Sequence, residues 1–252
     1  MSHAEDFSYL GSGIVLIREW NSTQPFVEIG NCSAFNLSPQ TNQITLPDHT
    51  QPGGGNRNSV ERVTDWQLSY TFHDFNKENF ARVTRGKASA IAAGNVVAES
   101  VAATPGHYVP LSRIASAIAA VTSIGGATEY EEGEDYTFER GMLWIPVGSS
   151  IPAALNGAVN IEVDYGHGAI GEVQGGVTSA KKYEMEFRGA NEARGGKMTR
   201  MRAHKVAGGM IQQLGLIGEE YGAGEVNNSL ESDNAKRTSA DHSAYFYWQQ
   251  EE

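Results

Sequence analysis

Between Asp65 and Phe72 apolar and polar residues alternate without a break, Trp66, Leu68, Tyr70 and Phe72 against Asp65, Gln67, Ser69 and Thr71. Successive side chains of a strand point to opposite faces, so this octet predicts a strand with one face in a core and the other in water. The wet face is small and almost uncharged. An earlier strand is read over residues 31–38, Asn-Cys-Ser-Ala-Phe-Asn-Leu-Ser. Between the two lies a long arm, about 39–59, whose centre reads Leu-Pro-Asp-His-Thr-Gln-Pro-Gly-Gly-Gly-Asn-Arg-Asn-Ser from Leu46 to Ser59. Its prolines and triple glycine exclude a regular interior strand, and the arm is expected to be flexible. After Phe72 a short helix is expected: Asn76 is a good N-cap, Glu78 favours the first turn, and Phe75 with Phe80 occupy the positions of a hydrophobic staple. Gly86 is expected to close it in the left-handed conformation.

Composition points the same way. At 252 residues the chain can bury a real core, and 29 glycines with 40% hydrophobic residues fit short strands and many turns better than a helical bundle. The single cysteine, Cys32, excludes an internal disulfide and reads as a small core residue. Glu5 and Asp6 near the start, with no basic or apolar leader, make a signal peptide unexpected; no run approaches the roughly 20 apolar residues of a membrane span. A soluble protein made in a reducing cytoplasm is the expectation.

The formal charge is −11, and it is unevenly spread. Residues 95–168 hold nine acids and two bases, hence −7, which leaves −4 for the rest. That middle segment reads as a separate small β module. Its expected strands are 96–102, 108–111, 115–122, 136–139, 143–145 and 159–165, with turns at Pro105-Gly106, Gly125-Gly126 and Asn156-Gly157. Residues 114–121 also admit an alanine-rich helix. The expected architecture is all-β with one short flanking helix: a β-sandwich or barrel domain from residues 1–94 and 169–252, interrupted by a smaller β-sandwich over 95–168. In the returning half, Tyr183, Met185 and Phe187 alternate with Glu184, Glu186 and Arg188, again one dry and one wet face. Residues 198–205 form another expected strand. The aromatic run Tyr245-Phe246-Tyr247-Trp248 is expected to dock at a sheet edge or on a neighbouring subunit, with residues 249–252 frayed.

No catalytic or metal-binding constellation emerges. The seven histidines show no metal spacing, and no Cys-x-x-Cys or His-Glu-x-x-His occurs. His73 and Asp74 are adjacent on an extended segment and so face apart. Gly53-Gly54-Gly55-Asn56-Arg57 lacks the Lys-Ser/Thr of a phosphate loop, and Gly11-Ser12-Gly13 lacks the spacing of a nucleophile elbow. The acidic run Glu129–Asp135 lacks the alternation of a calcium loop and reads as a solvated turn. No enzyme, cofactor or metal site is expected. No basic stripe marks a sequence-specific DNA binder.

The order of strand, Pro/Gly-rich arm, Ser59-Val60-Glu61-Arg62-Val63, amphipathic strand, His73-Asp74-Phe75, short helix and glycine resembles the major tail tube protein of long-tailed bacteriophages. The resemblance covers residues 28–88 and resumes around Phe187-Arg188-Gly189-Ala190-Asn191 and Leu216-Ile217-Gly218-Glu219-Glu220. Tyr130-Glu131-Glu132-Gly133-Glu134-Asp135-Tyr136, with Gly141 and Val159-Asn160-Ile161-Glu162-Val163, resembles an immunoglobulin-like insert of phage structural proteins. The resemblance implies a virion protein, assembled in the bacterial cytoplasm, that stacks hexameric rings into a tube through which DNA is ejected. Its implied partners are itself, the tape-measure, tail-terminator and distal tail or baseplate proteins, and double-stranded DNA in passage without specific binding; no membrane is involved. Asp48, His49, Gln51, Pro52, Gly53, Gly54, Gly55, Asn56 and Arg57 then form the tip of an inter-subunit arm. DNA carries one charge per about 1.7 Å of axis, so a conduit needs a neutral or acidic wall. Its candidates are the face carrying Gln67, Ser69 and Thr71 and the face carrying Glu184 and Glu186. The competing readings are a capsid-decoration or carbohydrate-binding β module and a hydrolase whose site the sequence does not reveal.

Overall fold

The computed structural model describes residues 6–50 and 52–252, so Gln51 of the arm tip lies outside the described residues. The chain forms two compact units. One comprises the chain up to Ala88 together with Val173–Glu252, and the other Ser89–Glu172, wider at both ends than the expected 95–168. In chain order the first unit supplies β1 (Gly11–Glu19), β2 (Val27–Glu28), β3 (Cys32–Pro47), β4 (Asn56–Phe72) and the helix α1 (Lys77–Val83). The strand β5 (Lys87–Ile91) leads out. The second unit follows with β6 (Gly94–Val101), β7 (Tyr108–Val109), β8 (Ala115–Ser123), β9 (Glu129–Tyr130), β10 (Thr137–Glu139), β11 (Met142–Trp144) and β12 (Ile161–His167). The chain returns through β13 (Ile170–Gln174) to β14 (Lys182–Asn191), β15 (Lys197–Ala207), β16 (Ile211–Leu214), β17 (Gly224–Ser229) and β18 (Phe246–Gln250). The fold is all-β, and α1 is the one α-helix among the described residues.

The first unit is built from two antiparallel sheets, ordered β18-β15-β14-β1-β2 and β16-β17-β4-β3. The alternation read in β4 decides what lies between them. Leu68, Tyr70 and Phe72 join Val226 from one sheet to Val15, Ile17, Met185 and Met201 from the other in one buried cluster. Truncating a side chain at its centre, Leu68→Ala for instance, costs about 2–5 kcal/mol. The sheets stay open: β3 and β16 end one of them, β18 and the two-residue β2 the other. The aromatic run docks as the edge strand β18, Trp248 opposite Met201 and Phe246 opposite Ala203. The expected fraying does not occur before Glu251, whose N–H reaches the Met198 carbonyl at 2.9 Å.

The arm is not a flexible loop. β3 and β4 run on past the body of the sandwich as one hairpin, paired from Cys32↔Phe72 to Pro47↔Asn56. Pro39, Pro47 and the glycines do not prevent this, for two reasons. β3 is an edge strand, whose missing proline N–H deprives no neighbour. The glycines all sit in the turn, at φ of 103°, 69° and 135° for Gly53, Gly54 and Gly55, values that residues with a Cβ rarely adopt.

The helix begins as expected, the Asn76 side chain accepting from the Asn79 N–H at 2.8 Å. Its end differs by one residue. Arg85, not Gly86, takes the left-handed conformation, with φ 51°, while the Gly86 N–H reaches the Ala81 carbonyl at 2.7 Å. Gly86 is required for another reason: a Cβ there would lie 2.7 Å from Val173 Cγ1 and 2.8 Å from the Gln174 carbonyl.

The second unit pairs a sheet β6-β12-β8-β9 with a sheet β10-β11-β7 over its own core, which includes Val121, Leu143, Ile145, Ile161 and Val163. Residues 115–123 are a strand, not the alanine-rich helix.

Candidate functional site

The hairpin formed by β3 and β4 is the most unusual surface of the first unit. Apart from half-buried Asp48, every described residue from Pro39 to Thr64 is exposed. At about 3.3 Å per residue, the ribbon from Thr41 to Pro47 is on the order of 20 Å long. Cross-strand partners share a face, so the register Ile44↔Val60 and Leu46↔Asn58 places Ile44, Leu46 and Val60 together. Each of these three remains about half exposed, Ile44 at 51% and Val60 at 49%. At the tip the Asp48 N–H meets the Gly55 carbonyl at 2.6 Å, and its carboxylate accepts from the Thr50 backbone and hydroxyl. Those hydrogen bonds hold the Asp48 carboxyl below its ordinary pKa. His49, Pro52, Gly53, Gly54, Gly55, Asn56 and Arg57 are exposed around it. The tip presents backbone and small polar groups to solvent, with the apolar side chains further back along the ribbon.

A second surface is the outer face of the sheet that carries the hairpin. Register sets Asn36 and Ser38 beside Ser69 and Gln67, and Glu225, Asn227 and Ser229 beside Thr71, Ser69 and Gln67. Asp65, hydrogen-bonded to the Ser229 hydroxyl at 2.7 Å, extends it. Asp65 and Glu225 are acidic, and no lysine or arginine stands among these register positions. These register positions are neutral to acidic.

Glu184 and Glu186 behave differently. The alternation of β14 predicted a wet acidic face, yet both carboxylates are buried, at 4% and 2% exposure. Arg18 and Arg202 reach Glu184 Oε2 at 2.8 and 2.6 Å, and Arg200 reaches Glu186 Oε2 at 2.9 Å. Arg188 closes on Glu186 Oε1, and Phe26 lies under Arg18 and Arg202. Burial pushes both carboxyl pKa values up, but the arginine hydrogen bonds outweigh it and hold them below the ordinary range. Four arginines against two glutamates leave this cluster at +2. It presents guanidinium groups to solvent instead of carboxylates. The reason is the β14–β15 hairpin, whose register brings Arg202 opposite Glu186 and Arg200 opposite Arg188.

The remaining chemistry-bearing residues do not converge. His73 Nδ1 meets the Gly222 carbonyl at 3.0 Å, whereas Asp74 accepts from the Asn31 N–H at 2.7 Å. Asp135 accepts from the Glu131 and Ser150 N–H groups and so closes its own turn. Cys32 lines an apolar cleft of about 320 Å³ with Phe35, Leu37, Phe187 and Trp248. Burial, then Asp74 and Glu28, pushes its thiol up to about 11, which favours the protonated thiol. Among the described residues no group of three or more His, Cys, Asp or Glu is placed to hold a metal ion. Among them, too, no helix is long and apolar enough to cross a membrane.

Two features go beyond the sequence reading, which took Leu216–Glu220 only as part of the resemblance. The loop between β16 and β17 carries Leu216, Ile217 and Tyr221 almost fully exposed, Ile217 at 99%. Arg85 lines a cavity of about 500 Å³ beside α1, and its Nε is buried without a hydrogen-bond partner. The exposure of the loop follows from its place between β16 and β17, and the placement of Arg85 from the helix end.

The model of the family described as "Protein of unknown function UCP028589" matches residues 8–249. No curated protein matches the chain.

Proposed function

We propose a self-assembling structural role for this chain, which belongs to the UCP028589 family of unknown function over nearly its whole length. It is a virion subunit that stacks as rings, hexameric as the phage resemblance implies, into a tail tube for DNA. Its partners are further copies of itself, the proteins that fill and cap the tube, and DNA in transit.

One observation carries this reading: the exposed two-stranded ribbon with Ile44, Leu46 and Val60 on one side. A lone two-stranded hairpin is marginal in water, and an apolar face on it gains stability only against another surface. The open edges of both sheets point the same way, since unpaired strand edges favour association. A head-to-tail contact between two different patches closes into a ring, and an axial contact stacks the rings.

The polar sheet face of Gln67, Ser69 and Thr71 suits the inner wall. Its two acids repel phosphate, and it offers no cation to hold DNA. The arginine-covered face of Glu184 and Glu186 does not suit it. Fixed charges act over only about 8 Å at physiological salt, so the acids elsewhere on the molecule do not decide passage.

Deleting Asp48–Asn56 tests the role of the ribbon. The shortened chain is expected to stay folded and soluble while losing assembly in sedimentation velocity runs. Tubes formed by the deletion variant at the parent's concentration would refute that role.

A further inference from the structure

Arg85 sits where a helix end ordinarily places glycine. Its φ of 51° is disfavoured for any residue with a Cβ, and its Nε is buried without a partner. The cavity it lines has a volume of about 500 Å³, within the roughly 300–1,000 Å³ of ligand pockets. Ile17, Pro25 and Tyr183 supply apolar wall, and Arg18, Arg82, Lys181, Glu19 and Glu78 the other charges. Most of these are already neutralised: Arg18 by Glu184, Lys181 by Glu19, and Glu78 by Lys77. Arg82 donates to the neutral Asn79 Oδ1 at 2.8 Å. The guanidinium groups of Arg82 and Arg85 therefore line this cavity without an ion pair of their own among the described residues, and the carboxylates beside them, Glu19 and Glu78, are paired with lysines.

The complementary chemistry occurs on the same chain. The loop Gly215–Gly222 exposes Leu216, Ile217 and Tyr221, interleaved with the exposed acids Glu219 and Glu220. Two carboxylates and three apolar side chains are presented to solvent, in a segment tied to its own sheet at the Gly222 carbonyl, which His73 Nδ1 meets at 3.0 Å.

We propose that this loop of one copy docks in the Arg82/Arg85 cavity of a second copy. The loop carboxylates pair with the guanidinium groups, and its apolar side chains cover Pro25, Val27 and Tyr183. Such a pair fits because Arg presents a planar fork that binds carboxylate bidentately. The contact joins two different patches, so it propagates head to tail. The inference rests on the self-assembly reading and names a contact within it.

The test uses the full chain, three variants and a peptide spanning Leu214–Gly224. Arg85→Gly removes the guanidinium and also relieves the backbone, so it is expected to melt no lower than the parent. The double variant Glu219→Arg/Glu220→Arg alters only exposed loop positions. Each is expected to raise the concentration needed for self-association at least ten-fold in sedimentation velocity. Mixing Arg85→Glu chains with the loop double variant is expected to recover association between unlike copies. The labelled peptide is expected to bind the parent at least ten-fold more tightly than Arg85→Gly, by fluorescence anisotropy.

Peptide binding that depends on Arg85 without tubes supports the contact and removes the tube. Tubes from both variants at the parent's concentration overturn the contact and leave the tube reading standing. A parent chain that neither associates nor binds the peptide overturns it. Inorganic phosphate that raises the parent's melting temperature through Arg85, with no peptide binding, makes the cavity a small-anion site and also overturns it.

Discussion

Replacing Ile44 and Val60 by serine separates assembly from folding. The two side chains face each other across the ribbon and are each about half exposed in the isolated chain. Full burial of such a side chain is worth about 1.5–3 kcal/mol, so the half still open to water offers about 0.7–1.5 kcal/mol to a docking surface. The double substitution therefore removes about 1.5–3 kcal/mol per contact. A factor of ten corresponds to about 1.4 kcal/mol, so the concentration at which copies associate should rise about 10–100-fold. Folding should change little, because the substituted groups contact only each other and the ribbon; such cross-strand pairs are worth roughly 0.2–1 kcal/mol. Sedimentation velocity over a concentration series gives the first quantity, and urea unfolding of the monomer the second. Association at the parent's concentration would refute the docking role of the ribbon. A loss of several kcal/mol in monomer stability would show that the ribbon packs on its own body and refute the geometric premise.

Two further outcomes follow from the buried charges. Glu186→Gln is expected to destabilise the first unit by about 1–3 kcal/mol in urea unfolding, less than a fully buried pair because its arginines reach water; an unchanged midpoint would deny the cluster a structural role. Acid should act in two stages. His204 is buried and its pKa lies below the ordinary value because of burial, then Lys236 and Arg202. A depressed folded pKa means that its contribution is complete above the unfolded value of about 6.5 and is lost as pH falls through the folded one. Glu184 and Glu186, also depressed, contribute fully above about pH 4.3 and lose that contribution at lower pH. Thermal melts of the parent and of His204→Gln from pH 8 to pH 3 check this, the variant being expected to lose only the first stage.

The sequence revealed most where one physical constraint dominates. Strict alternation in residues 65–72 identified a strand and its core face, because a half-buried sheet permits no other period. Asn76 announced the helix, because its side chain is the cap that the Asn79 N–H needs. The arm was misread because its chemistry does not reveal its partner. Both faces of the ribbon are exposed, so no alternation marks it, and its prolines are harmless only on an edge strand. Glu184 and Glu186 looked wet for a similar reason: a strand pattern does not show what lies across the hairpin. The signal was present in Arg200 and Arg202, spaced two apart like the two glutamates and joined to them through the Gly195-Gly196 turn. Arg85 was invisible because Gly86 next to it is the residue that ordinarily ends a helix.

Negative-stain electron microscopy of the purified full chain, concentrated at neutral pH, tests self-assembly most directly. Hollow tubes of stacked rings are expected, with the stain-filled bore running their length. Compact particles without an axial channel at every concentration would contradict the account.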